Sequence, residues 1–361
     1  MTDNYYALIL AGGGGTRLWP MSRKATPKQL LSLIDQRTMF EVSIERLAPL
    51  FAPDHIFIVT GAQYIDIMRE KAPHIPPENF IVEPFGRDSG PAAALGIAVI
   101  HQRDPEAVVA QLNVDHFIGQ EEKFLELLRV AHKVATDGYI VTLGISPSYP
   151  ATGFGYIRQG DQIEEINGFT CYHTRGFTEK PSLVAATSFV ASGQYSWNSG
   201  MFIWSTGRAM EEFEHQQPEI YGLLQELNAN AASGDLNAAI EAIWERMPKI
   251  SIDYAVMESA KQMAVIPADI GWNDIGSWTS LFEVHKLDKF GNLFRGKAPE
   301  RVILDTENTM VYSDRLIVTI GVEDIIIVDT DDVLFICHKD RSQDVRDVVS
   351  YLKSIKRDEY L

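Results

Sequence analysis

Up to residue 145, apolar residues fall into short unbroken runs separated by longer stretches of helical spacing. The runs at 6–10, 55–60, 79–82, 108–112 and 139–143 are strand-length and closed by glycine or polar residues, which predicts buried strands. Between them, 39–47, 91–101 and 121–135 place apolar residues at helical intervals. Alternating buried strands and helices imply an α/β fold: a Rossmann-like mixed, mainly parallel sheet with helices on both faces. Such sheets bind ligands beyond the carboxyl ends of their strands. From 181 to 260 the pattern is richer in helix, at 182–192, 207–215 and 253–260, interrupted by one apolar strand at 201–204.

The period changes after about residue 291. Short β-branched runs begin at 302, 310, 317, 325 and 333, with Asp, Glu, Asn or Gly in the gaps. Helices of about 10 residues do not fit such spacing. A stack of short strands does, of the β-solenoid kind; a plain antiparallel meander is the other arrangement it allows. The stretch 342–356 returns to helical spacing and reads as a cap on the stack. The expected domains are therefore 1–285 and 286–361, the second a short β-helix ending in a helix.

Composition narrows the classes of function. A chain of 361 residues suits one large domain plus a smaller one. A formal charge of −17 argues against a nucleic-acid partner, which needs a surplus of Lys and Arg. It reads as a solubilising surface, and it leaves room for a phosphate substrate held by a few local cations. Two cysteines far apart in sequence, Cys171 and Cys337, make neither a disulfide framework nor a zinc site, and they suit a reducing cytoplasm. The first residues lack the basic patch of a signal peptide, and no apolar run is long enough to span a bilayer, so no membrane partner is expected.

The first strand opens into Ala11-Gly12-Gly13-Gly14-Gly15-Thr16-Arg17. Four glycines carry an entropic cost on folding, but they let the main chain approach a ligand and aim N–H groups at phosphate oxygens. Arg17 can meet a phosphate with a two-pronged fork, and Lys28 adds a second cation nearby in sequence. A Walker loop needs a Gly-Lys-Ser/Thr triplet, which is absent here. A dinucleotide fingerprint needs a third glycine where Leu18 stands.

The stretch from Leu8 through Gly12-Gly13-Gly14-Gly15-Thr16-Arg17-Leu18-Trp19-Pro20, with Pro27-Lys28-Gln29 after it, resembles the signature of the nucleotidyltransferases that make NDP-sugars. The Trp19-Pro20 and Lys28-Gln29 variants are similar to the mannose-1-phosphate guanylyltransferase branch. Further matches follow in order: Glu83-Pro84-Phe85-Gly86-Arg87, Asp115-His116, Gly153-Phe154-Gly155-Tyr156-Ile157, Phe177-Thr178-Glu179-Lys180-Pro181, Trp197-Asn198-Ser199-Gly200, Ser251-Ile252-Asp253-Tyr254 and Trp272-Asn273-Asp274-Ile275-Gly276. The chain departs from the pattern twice. Asp88-Ser89-Gly90 stands where the family commonly has Asn-Thr-Ala, and Asn113-Val114 where it commonly has Pro-Ala.

The resemblance implies transfer of a guanylyl group from GTP to mannose 1-phosphate. It assigns Arg17 and Lys28 to the triphosphate, with Ala11, Gly12, Gly13, Gly14, Gly15 and Thr16 around the nucleotide. It assigns Glu83 and Arg87 to the base or ribose, and Gly155, Glu179, Lys180 and Asn198 to the sugar phosphate. Asp115 and Asp274 would hold Mg²⁺. It also implies a left-handed β-helix at the C-terminus and a homodimer, and the chain stops short of the isomerase domain some relatives carry. Read from the residues alone, several alternatives stay open. Asp115 serves equally as a helix cap, and Asp274 as the cap of helical spacing at 275–284. Glu179-Lys180 reads as a surface ion pair before a proline-started helix. Rival functions are transfer to another hexose 1-phosphate or from another nucleotide, and non-catalytic binding of an NDP-sugar.

Overall fold

The computed structural model describes residues 4–231, 234–297 and 300–361. The chain divides into two compact units. The first takes the N-terminal segment to Gly12, Ile44–Val114 and Gln120–Trp272; the second takes Gly13–Ser43, Asp115–Gly119 and Asn273–Leu361.

In the first unit the apolar runs form strands β1 (Tyr5–Ala11), β2 (Ile56–Gly61), β3 (Phe80–Glu83), β4 (Val108–Asn113) and β5 (Ile140–Ile145). Four more strands join them: β6 (Tyr156–Ile166), β7 (Phe169–Thr178), β8 (Tyr195–Ser205) and β9 (Met263–Pro267). They make one nine-stranded sheet in the order β3-β2-β1-β4-β8-β5-β9-β7-β6. Strands β1 to β4 run parallel to their neighbours among them, as does β9 to β5, while β8 lies antiparallel between β4 and β5. All seven residues of β1 are buried, as expected of a strand covered on both faces.

Of the hairpin of β6 and β7, the sequence pattern points only to the strand ahead of Glu179, which is β7; β6 carries no such signal. Its sequence, Tyr-Ile-Arg-Gln-Gly-Asp-Gln-Ile-Glu-Glu-Ile, is mostly half-exposed, so it lacks the continuous apolar signal of the inner strands. The helix Ser89–Arg103 starts where the Asp88 carboxylate accepts the Ser89 N–H at 2.8 Å, and it buries ten residues. Its core includes Leu8, Phe57, Phe202 and Trp204. The helix expected at 253–260 is instead a single π turn, Asp253–Met257.

In the second unit the five expected β-branched runs all become strands. Leu293–Arg295, Met310–Tyr312 and Ile325–Asp329 stack in parallel, with Leu334–His338 antiparallel at the end; Arg301–Glu307 and Ile317–Glu323 form a separate parallel pair. Met310 pairs with Leu293 and with Ile326, and Ile317 pairs with Arg301, so one coil takes sixteen or seventeen residues. Each coil carries two strands, which explains run starts seven or eight residues apart. The closing helix Val345–Ser354 buries Val345 and Val349 in a core with Leu18, Trp19, Trp278 and Met310.

Candidate active site

Strand β1 ends at a buried Ala11, whose carbonyl accepts the Thr60 hydroxyl at 3.3 Å, and Gly12, Gly13 and Gly14 follow exposed. Gly15 has φ +58°, and a Cβ there would lie 2.4 Å from the Lys28 Cβ. Only glycine both adopts that backbone and lets the loop press against the Lys28 segment. The Gly15 carbonyl accepts the Leu18 N–H and the Ser22 hydroxyl, which fixes the short turn Thr16–Leu18 that carries Arg17.

Within the second unit four of the expected residues come together. The buried Lys28 ammonium donates to Asp115 Oδ2 at 2.8 Å and to the Asp274 carbonyl. Burial alone would raise the Asp115 carboxyl, but Lys28, with help from His116, holds it below its ordinary value. Arg17 completes the group: a Cβ on Gly276 would lie 2.5 Å from Asp274 Oδ2 and 3.1 Å from an Arg17 guanidinium nitrogen. Burial pulls the Arg17 guanidinium down, Asp274 and Asp115 oppose that, and Arg346 adds repulsion. Arg346 lies in the closing helix and had no place in the sequence reading.

Neither aspartate is a helix cap. The helix after Asp274 begins only at Ser280, with Thr279 at its cap, and the helix after Asp115 begins at Glu121, with Gln120 at its cap. Asp274 instead heads a tight turn in which the Ile275 N–H donates to Asn273 Oδ1 at 2.7 Å and the Gly276 N–H to Asp274 Oδ1 at 3.0 Å. Ile275 is held there at φ 42° while fully buried, a conformation that is costly for a β-branched side chain. His116 is buried beside Asp115, as a packed histidine.

A second group lies within the first unit. Lys180, also at positive φ, donates to Glu179 Oε1 at 2.5 Å. Burial disfavours its charge, yet the Glu179 partner wins and holds the ammonium above its ordinary value. Asn198 is fixed on every side. Its N–H donates to the Gly155 carbonyl at 2.8 Å, and its Oδ1 accepts the Gly200 N–H at 3.0 Å and the Thr142 hydroxyl at 3.4 Å. Its Nδ2 donates to Asp253 Oδ1 at 2.8 Å. The space above Gly155 is taken by protein: a Cβ there would lie 2.5 Å from Glu179 Oε2. Trp197 is buried edge-on to Tyr149 and Phe154, a packing residue rather than a stacking platform.

Glu83 closes β3 in the same unit. It is 4 % exposed, Oε1 has no hydrogen-bond partner, and Oε2 faces Gly12. Burial first, and Asp88 second, push its carboxyl up to about 7. Arg87 does not pair with it; the guanidinium donates to the Glu245 carbonyl at 2.7 Å and lies over the Phe85 ring.

A nucleotidyl transferase family model matches residues 6–289, and a model described as a MannoseP isomerase/GMP-like beta-helix domain matches 299–352. The alginate biosynthesis protein AlgA of Pseudomonas aeruginosa is 38% identical over 98% of this chain and 73% of its own length. A mannose-1-phosphate guanylyltransferase of Escherichia coli K12 is 37% identical over 98% of this chain and 75% of its own. The chain belongs to the mannose-1-phosphate guanylyltransferase family. A crystal structure from Thermus thermophilus, described as a mannose-1-phosphate geranyltransferase, shares 34% identity and a TM-score of 0.85, covering 97% of this chain and 99% of that one. Membership in the family makes the protein a nucleotidyltransferase with a β-helix-like C-terminal region. Among the described residues, no helix is long and apolar enough to cross a membrane.

Proposed function

We propose that the protein transfers the guanylyl group of GTP to mannose 1-phosphate. A phosphate oxygen of the sugar phosphate attacks the α-phosphorus, a new P–O bond forms, the bond to the β-phosphate oxygen breaks, and pyrophosphate leaves. The attacking oxygen is anionic at neutral pH, so no general base is needed. The barrier is repulsion between two polyanions and charge on the leaving group, which positioned cations relieve.

The observation that carries this reading is the Lys28 ammonium, clamped by Asp115 and the Asp274 carbonyl beside Arg17. Lysine has three N–H donors, and two are spent on the clamp, leaving one for a phosphate oxygen. Arg17 supplies a permanent second charge, and the exposed amides of Gly12, Gly13 and Gly14 supply neutral donors. Glu179 and Lys180 take the hexose hydroxyls and the sugar phosphate. Glu83, with its orphaned buried oxygen, accepts the N1–H and N2–H of guanine.

Nucleotidyltransferases of this family generally use a divalent metal. The residues fit Mg²⁺: Asp115 and Asp274, both at the Lys28 ammonium, offer hard oxygen donors. Mg²⁺ prefers one or two carboxylates, with waters and phosphates completing its shell. When bound, it would neutralise phosphate charge. A cytoplasmic setting fits two free thiols, Cys171 and Cys337. A homodimer fits an outward apolar row on the paired solenoid strands, where exposed Val302 and Leu304 lie in register with exposed Val318 and Ile320.

The test is a matrix of nucleoside triphosphates against hexose 1-phosphates, read by pyrophosphate release. The expected result is highest kcat/KM for GTP with mannose 1-phosphate. Preference for another pair would overturn the substrate assignment, and binding without release would overturn the enzyme.

A further inference from the structure

The segment Ser251-Ile252-Asp253-Tyr254 lies outside the groups assigned to the nucleotide and the metal. The structure gives it a fixed place. The Gly90 N–H donates to the Ile250 carbonyl at 3.0 Å, and the Ile252 N–H donates to the Ser89 hydroxyl at 3.0 Å. These bonds pin the chain just before Asp253, which opens the π turn half-buried. What is particular to this chain is Gly90: a Cβ there would lie 2.6 Å from the Ile250 carbonyl oxygen, so glycine lets the two segments approach this closely.

Asp253 then faces Asn198, Glu179 and Lys180. The Asn198 oxygen is committed to two donors, which turns its nitrogen toward Asp253, and one of its N–H groups is spent on Asp253 Oδ1. Burial, with Glu179 next, pushes the Asp253 carboxyl up to about 6, while Asn198 and Lys180 pull the other way. Among the described residues, only Glu179 Oε1 and Asp253 Oδ1 receive a side-chain donor, from Lys180 and Asn198, so each carboxyl keeps a second oxygen with no side-chain donor, a surplus of acceptor oxygens. A hexose brings the complement, since each hydroxyl is a donor.

We infer that Asp253 is a second hydroxyl acceptor for the hexose, beside Glu179, and that it takes part in choosing which hexose 1-phosphate is used. This rests on the sugar-phosphate reading above. An anchor for Asn198 alone would explain the Asn198 bond but not the surplus of acceptors.

Asp253→Asn separates the two roles, because its side-chain oxygen can still accept from Asn198 while the charge is gone. The wild type is assayed first; absence of turnover with any hexose 1-phosphate overturns the functional reading itself. Given turnover, Asp253→Asn should raise KM for mannose 1-phosphate by about tenfold to a hundredfold, the worth of one charged hydrogen bond. KM for GTP should move less than about twofold. The same pair of enzymes is then run on the monodeoxy mannose 1-phosphates. At one ring position the penalty of the substitution should vanish, because the lost hydroxyl was the partner. An equal penalty for every analogue, or an unchanged KM, overturns the inference. If Asp253→Asn yields no folded protein by circular dichroism, Asp253→Ser keeps an acceptor and runs the same panel.

Discussion

Each of the two groups of polar residues is built around one lysine and its carboxylate neighbours, yet the two are arranged in opposite ways. Lys28 is 6 % exposed and spends two donors on Asp115 and the Asp274 carbonyl, with Arg17 adding charge close by. Lys180 has an exposed side chain and one partner, Glu179, and the surrounding group holds more acceptor than donor. The first is a fixed source of positive charge, suited to polyphosphate. The second is a set of acceptors with an exposed cation, suited to hydroxyls and one phosphate. Fixed charge in a dry setting acts strongly and needs no reorganisation, whereas a solvated ion pair is worth little by itself.

The comparison predicts unequal consequences of losing each lysine. Lys28→Met should lower kcat by about a hundredfold to a thousandfold, the range for one preorganised donor. It also leaves the Asp115 carboxylate unpaired, so a fall in melting temperature should accompany it. Asp115→Asn and Asp274→Asn should nearly abolish turnover in saturating Mg²⁺, with the fold retained by circular dichroism. Full activity in either purified aspartate variant would refute the shared metal site.

Lys180→Gln should act mainly through KM for the sugar phosphate, by about tenfold, with a smaller change in kcat. Equal losses of kcat from Lys28→Met and Lys180→Gln would erase the distinction between the groups. High salt sharpens it further: screening should weaken the exposed Lys180 contact more than the buried Lys28 clamp.

The same contrast shows what the sequence carried. Inner strands such as β1 and β4 were legible because burial on both faces forces unbroken apolar runs. The solenoid was legible because two strands per coil give a strict spacing. Strand β6 was not, because its polar, half-exposed residues resemble a loop. Arg17 and Lys28 stand out from the glycine-rich loop itself, whereas the metal role of Asp115 and Asp274 comes from family resemblance. Spacing alone leaves Asp115 open between ligand and cap and favours a cap at Asp274, since nothing local says that the helix after Asp274 starts only at Ser280. Asp253 lay inside a quoted motif without a role: an Asp ahead of apolar residues reads as a helix start, and its partner Asn198 is 55 positions away.

Gly90 gives a smaller, steric test of the second group. A Cβ there would lie 2.6 Å from the Ile250 carbonyl oxygen, too close for any side chain without movement. Gly90→Ala, which restores the residue the family commonly has, should cost about 1–3 kcal/mol of stability. By displacing the segment before Asp253, it should raise KM for mannose 1-phosphate while leaving Lys28-dependent kcat nearly intact. A variant with wild-type melting temperature and wild-type KM would show that the Gly90 and Ser89 anchors do not set the position of Asp253.

The smallest expected effect concerns Glu83, whose charge belongs to neither lysine. Its folded carboxyl titrates at about 7 because burial and Asp88 disfavour the anion. The unfolded value is about 4.3, so the folded chain binds the proton more tightly than the unfolded one. In the free protein this favourable contribution is complete below the unfolded value. It is lost as pH rises from there through about 7. Binding reverses the preference, because guanine N1–H and N2–H call for the anion. GTP affinity should therefore rise by a few-fold between about pH 6 and pH 8, and affinity for inosine triphosphate, which lacks the N2 donors, should rise less. Glu83→Gln should flatten the GTP profile across that window. A profile equally steep in Glu83→Gln, measured by calorimetry, would assign the titration to another group and leave guanine without its carboxylate.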